Sequence, residues 1–186
     1  MKILQAPSPN FFANTGEKEV TVIHKTLGLM PGTLAWLRKT SAQVSTHYLI
    51  TKKGTIYQLV DEKDGAWHVG VQKNPSARWK KYDKKGVNNN RYTIGIEFEC
   101  LLHETYTEKQ FEAGAWLINK LDLPVVTHRD IASYKPNLEQ ERATLLRMIE
   151  EPPKEEKQKL IIILKLQLQL LLLRLQLLKF KRSKNK

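Results

Sequence analysis

The run Glu19-Val20-Thr21-Val22-Ile23-His24 is short, rich in β-branched residues and apolar at Val20, Val22 and Ile23, and it ends on an imidazole. It reads as a buried strand that delivers His24 at its C-terminal end. Val125-Val126-Thr127 repeats the pattern a hundred residues later and ends at His128. Between them, Thr46 to Ile50 and Thr55 to Val60 flank a turn containing Gly54, which predicts a hairpin. Tyr92 to Cys100 is a further strand. Helices are expected from Thr33 to Lys39, from Thr107 onward, and from Leu138 to Ile149. The second has the clearest start, because Thr107 and Gln110 fit a capping box and Phe111, Ala115, Ile118 and Leu121 follow at helical spacing. Strands alternate with helices. The expected class is α/β, one domain with a central mixed sheet flanked by helices.

At 186 residues and 41% hydrophobic content the chain supports one full core and is short for two ordinary domains. The expected organisation is a domain over 1–150, a linker over 151–159 and a tail over 160–186. Cys100 is the sole cysteine, so internal disulfides and thiolate-only metal clusters are excluded. A metal, if used, must rest mainly on histidine and oxygen. The formal charge of +12 is uneven: residues 151–186 carry ten Lys or Arg against three Glu, a net +7, leaving +5 for the first 150. That modest field selects no polyanion, and no nucleic acid is expected as partner. Met1 to Asn14 lacks an apolar run of signal-peptide length, so export by the usual signal route is not expected.

Histidines at strand ends are more often structural than catalytic, so His24 and His128 alone say little. The strand around Glu97 adds a second observation. Its alternation puts Ile94, Ile96, Phe98 and Cys100 on one face and Gly95, Glu97 and Glu99 on the other, and two glutamates on a largely apolar strand are costly unless solvated or used. Residues 61–91, rich in Lys, Asn, Gly and Asp, form a long excursion of the kind that often carries function.

The stretches Val22 to Thr26, Val44 to Ile50, Gly54 to Val60, Ala66 to Gly70, Ile94 to Glu97, Tyr106 to Gln110 and Thr127 to Ile131 are each short. Their order and spacing together resemble the type-2 N-acetylmuramoyl-L-alanine amidases, which include peptidoglycan recognition proteins and phage lysozyme-like amidases. The resemblance covers about residues 18–149. It implies hydrolysis of the bond joining N-acetylmuramic acid to L-alanine in peptidoglycan or muropeptides. It also implies a zinc ion at the strand ends, held by His24, His128 and a third ligand whose place falls on Asn137. Glu97 then matches the general base and acid, and Lys135 a positive charge near the oxyanion. His47, Trp67 and His68 are candidates for lining the substrate groove.

Asn137 departs from the usual carboxylate or thiolate. A neutral amide oxygen binds Zn²⁺ more weakly, and Asn137-Leu138-Glu139-Gln140 equally fits an N-cap with a capping-box glutamine. A non-catalytic peptidoglycan-binding module on the same scaffold is the alternative reading. The tail from Leu160 to Phe180 is low-complexity Leu, Ile and Gln broken by Lys165, Arg174 and Lys179. Each central charge costs about 2.5–3.5 kcal/mol against about −0.3 to −0.6 for each Leu or Ile, so spanning a bilayer is marginal and a basic membrane-surface or self-associating helix is the expected role.

Overall fold

A computed structural model describes residues 1–151 and 162–171. The chain divides into two units, Met1–Ile149 and Glu150–Lys186. The first holds a six-stranded mixed sheet. Its strands are β1 (Ile3–Gln5), β3 (Val20–Lys25), β4 (Tyr48–Ile50), β5 (Ile56–Gln58), β7 (Thr93–Phe98) and β8 (Val125–Thr127), in the order β1-β5-β4-β7-β3-β8. The β4–β5 hairpin supplies the one antiparallel junction; β4, β7, β3 and β8 run parallel, as do β1 and β5. A small antiparallel ribbon, β2 (Phe11–Phe12) with β6 (Gly65–Ala66), lies apart from this sheet.

β3 is buried at every position from Val20 to His24, as a central parallel strand covered on both faces must be. One face meets the helices α2 (Glu108–Leu121) and α4 (Glu139–Glu150), where Ile23, Ile96, Phe98, Leu117 and Leu145 share the main core. The opposite face carries a smaller cluster in which Val20, Val22 and Val126 pack with Val69 and Trp79 of the excursion and with Tyr92 just after it. Here the excursion does the work of a covering layer, although its only helical pieces are the 3₁₀ turns Trp79–Lys81 and Asn89–Arg91.

The capping box forms at α2, with Thr107 Oγ1 accepting from Gln110 N–H and the Gln110 side chain accepting from Thr107 N–H. Gly54 turns the hairpin at φ +79°. Four features depart from the sequence expectation. β1 and the β2–β6 ribbon were not anticipated, being two or three residues long and without periodicity. His128 does not sit in a loop after β8 but opens a one-turn helix, α3 (His128–Ile131), capped by a second box between Thr127 and Asp130. The last helix begins at Glu139; the Leu138 carbonyl takes its first bond, from Arg142 N–H. The helix α1 (Gly32–Leu37) is a little shorter than expected.

In the second unit, residues 162–171 are helical with exposed side chains. Among the described residues no helix is long and apolar enough to cross a membrane. Residues 152–161 and 172–186, which hold most of the expected linker and the rest of the expected basic tail, lie outside the described residues.

Candidate active site

The register of three parallel strands assembles the site. His24 on β3 is the direct neighbour of Glu97 on β7, and Ile23 pairs with Thr127 on β8, so His128 follows beside His24. Side chains alternate along a strand, so neighbours in register share a face, and Glu97, His24 and His128 form a row across the C-terminal edge of the sheet. Their Nδ1 atoms bring the two histidines together at 2.8 Å. Glu97 Oε1 lies 3.9 Å from His24 Nδ1.

Burial dominates the electrostatics. It holds His24 well below the ordinary imidazole range, with the neighbouring His128, His68 and Lys135 adding to the effect. His128 is lowered to about 4 by burial and Lys135. His68 is lowered by burial, His47 and His128, although its bond with Thr93 opposes the shift. Glu97 moves the other way, to about 8, because burial favours the neutral acid more strongly than Lys135 favours the carboxylate. With both partners favouring their neutral forms, the 3.9 Å contact is polar and not a true ion pair. Glu97 Oε2 is buried without a hydrogen-bond partner in the protein. Buried carboxylate oxygens are rarely left so, and when they are a functional reason is expected.

Glu97 also lies in the wall of a cleft of about 460 Å³ bounded by Thr26, Leu29, Trp36, Leu37 and Val44. Trp36, on α1, is 55% exposed there. The row therefore meets a concave surface at its Glu97 end, with an aromatic side chain at hand, the usual form of a small-molecule site.

A family model described as N-acetylmuramoyl-L-alanine amidase matches residues 15–140, which contain all of these groups. The chain belongs to this amidase family. N-acetylmuramoyl-L-alanine amidase A of Achromobacter lyticus is 35% identical over 95 residues, covering 50% of this chain. The chain spans 44% of the length of that curated relative. Among solved structures, a selenomethionine derivative of AmpD shares the fold with a TM-score of 0.59 at 24% identity, over 76% of this chain and 93% of the other. The Escherichia coli amidase AmiD, solved with its substrate anhydro-N-acetylmuramic acid-L-Ala-D-gamma-Glu-L-Lys, is 29% identical at a TM-score of 0.50, over 62% of this chain and 49% of that one.

The remaining candidate residues fall in different places. Lys135 is half-buried, and its charge acts on His24, His128 and Glu97 alike. Asn137 is exposed, and its Oδ1 accepts the Glu139 N–H at 3.2 Å, a turn just ahead of α4. Among the described residues, no three His, Cys, Asp or Glu side chains are grouped to hold a metal ion. His47 is fully buried. It accepts from Gly95 N–H at Nδ1 and faces the Asp64 carbonyl through Nε2, so it acts as a strut between β7 and the ribbon with no ring nitrogen left for a substrate. Trp67 packs its ring 5.5 Å from that of Phe12, away from the cleft walls. His68 is buried beside His24, with Nδ1 3.0 Å from His24 Nε2. Glu99 is a structural partner: its two oxygens accept from Met30 N–H and Lys52 N–H.

Sequence reasoning missed Trp36 and Asp130. Asp130 has its signal in Thr127-His128-Arg129-Asp130, the spacing of a capping box. Its carboxylate closes that box and also takes Ser76 Oγ and Arg78 Nη1, tying the excursion to the residue beside His128.

Proposed function

We propose that this protein hydrolyses the amide between N-acetylmuramic acid and L-alanine in peptidoglycan or muropeptides, with zinc held by His24 and His128. The reading rests above all on the register-locked row in which a buried, unpartnered carboxylate oxygen stands beside two neutral imidazoles at the wall of a cleft. Neutral imidazoles are the form that ligates a metal. Two donors of the zinc type therefore suit the ion, while the third protein place rests on the neutral, exposed Asn137. When bound, zinc would polarise the carbonyl under attack and lower the pKa of water.

The chain's own groups supply the proton handling. Glu97 takes the proton of the attacking water and passes it to the departing amine; its raised pKa brings it nearer to neutral pH, where a group can both take and give a proton. Lys135, whose charge already reaches all three members of the row, stabilises the negative oxygen of the tetrahedral intermediate. Trp36 and Leu29 offer apolar surface for the sugar or stem peptide across the cleft. His68, Trp67 and His47 support the site from within.

The test is incubation of the full chain with peptidoglycan, with and without zinc, followed by mass analysis of released peptides. Zinc-dependent release of stem peptides is expected. Glu97→Gln keeps the side-chain shape but cannot accept the proton, and should lose roughly 10²–10⁴-fold in turnover. Release at the wild-type rate by Glu97→Gln would remove Glu97 from the chemistry. The lack of a third charged ligand favours a second reading, a peptidoglycan-binding module without turnover. Saturable binding of muropeptides with no cleavage at any zinc concentration would establish it.

A further inference from the structure

The histidine pair is the middle of a continuous hydrogen-bond chain that begins and ends on backbone carbonyls. From one end, Thr93 Oγ1 donates to the Asn89 carbonyl at 2.8 Å and lies 3.0 Å from His68 Nε2. His68 Nδ1 is 3.0 Å from His24 Nε2, and His24 Nδ1 is 2.8 Å from His128 Nδ1. At the other end, His128 Nε2 is 2.7 Å from the Val69 carbonyl. Carbonyls only accept, and a neutral imidazole carries one N–H. The direction of every bond then follows. The Thr93 hydroxyl gives its proton to Asn89, so its oxygen must receive His68 Nε2–H. His68 Nδ1 is left as an acceptor and must receive His24 Nε2–H. From the far end His128 Nε2–H goes to Val69. His24 and His128 are each left with a bare Nδ1 lone pair, and the two lone pairs face one another.

Two lone pairs at that separation repel unless a cation lies between them. Every other contact in the chain is satisfied, and the single shortage of a proton falls where a Lewis acid would remove it. We propose that His68 and Thr93 are positioning residues that lock His24 in its Nε2–H tautomer and so aim its Nδ1 at the metal. This rests on the metal reading given above and adds to it the means by which the first ligand is set.

The surroundings are built for this relay. Gly95 lies on the same strand face as Thr93 and Glu97, and a Cβ there would sit 2.6 Å from His68 Cγ and 2.7 Å from Nδ1. The missing side chain is the space that the His68 ring fills. Asn90 Oδ1 accepts both His68 N–H at 3.0 Å and Val69 N–H at 2.9 Å. One side chain thus fixes the backbone that presents the His68 imidazole to His24 and the Val69 carbonyl to His128. Both ligands are oriented from a single anchored dipeptide.

Two measurements on the full chain test the relay. In the metal-free protein, ¹⁵N–¹H correlation spectra of the imidazoles should show His24 protonated at Nε2 and His128 at Nε2. Zinc affinity, measured by competition with a chromophoric chelator, should fall about 10- to 100-fold in Thr93→Val, which keeps the shape but removes the hydroxyl, and in His68→Phe. Thr93→Ser should restore affinity to within a few-fold of the wild type. Thr93→Val guards against misfolding of the larger change, with cooperative thermal unfolding as the control. His24 protonated at Nδ1 in the wild type, or wild-type zinc affinity in a folded Thr93→Val protein, would overturn the relay. A wild-type chain that shows the Nε2–H tautomer but binds no zinc would leave the relay standing and sink the metal reading instead.

Discussion

His47 offers a measurable consequence of burying an imidazole where only its neutral form fits. Burial pulls its pKa from 6.5 to about 4, outweighing the favourable Asp64 carbonyl. The folded state therefore resists a proton that the unfolded chain accepts readily. For a group with a lowered folded pKa, stability is complete above the unfolded value and drains away as pH falls toward the folded one. The lowering from 6.5 to about 4 sets a ceiling of about 3 kcal/mol, of which about 2 kcal/mol is lost between pH 7 and pH 5. His47→Gln isolates this part. Its amide can accept from Gly95 N–H and donate to the Asp64 carbonyl but does not titrate. Urea unfolding of the two proteins at half-unit steps from pH 7.5 to 5, with chelator present, should show the variant losing about 2 kcal/mol less than the wild type. His24, His68 and His128 shift in the same direction and Glu97 in the opposite one, and all are common to both proteins, so the difference belongs to His47. Parallel pH profiles would refute the reasoning.

Three other outcomes follow from packing and charge. Lys25 and Glu141 form a buried ion pair at 3.1 Å, with side chains 6% and 8% exposed; Glu141→Gln should cost about 3–5 kcal/mol in denaturant unfolding, and pairing it with Lys25→Met should recover most of that loss. A Cβ on Gly54 would combine φ +79° with a 2.8 Å approach to the Lys109 carbonyl, so Gly54→Ala should lower stability by about 2 kcal/mol, whereas Gly86→Ala, with open space around it, should lose less; equal losses would dismiss the Lys109 contact. Asn137→Asp puts a carboxylate at the place proposed for the third ligand and should tighten zinc binding roughly tenfold while Tm stays nearly unchanged, since Asp accepts the Glu139 N–H equally well; identical affinities would take residue 137 out of the metal shell.

The sequence disclosed what is local or periodic. The Thr107–Gln110 box and the alternation of β7 depend on residues within a turn or a strand, and both are present as expected. The grouping of His24, Glu97 and His128 was legible through the resemblance and not through the strand ends alone; the register of β3, β7 and β8 supplies the geometry. The interior role of His68 was not readable. It lies in an irregular segment whose side-chain directions have no period, and its hint was indirect: a glycine, Gly95, between two polar residues on an inward face. The helix at His128 was hidden by its brevity, although Thr127 and Asp130 have the same spacing as the box that was recognised.

The excursion over residues 61–91 is more than a cover. Its backbone exchanges bonds with α3 at Lys73 to Ile131, Ser133 to Lys73 and Ser76 to Asp130, and Arg78 adds its guanidinium to the Asp130 carboxylate. Segments with so little regular structure are ordinarily where a native protein first opens. Here an opening would carry the Val69 carbonyl away from His128 and strip Ser76 and Arg78 from Asp130, the carboxylate that closes the cap on the helix His128 begins. Local breathing and loss of the histidine pair's alignment thus become one event.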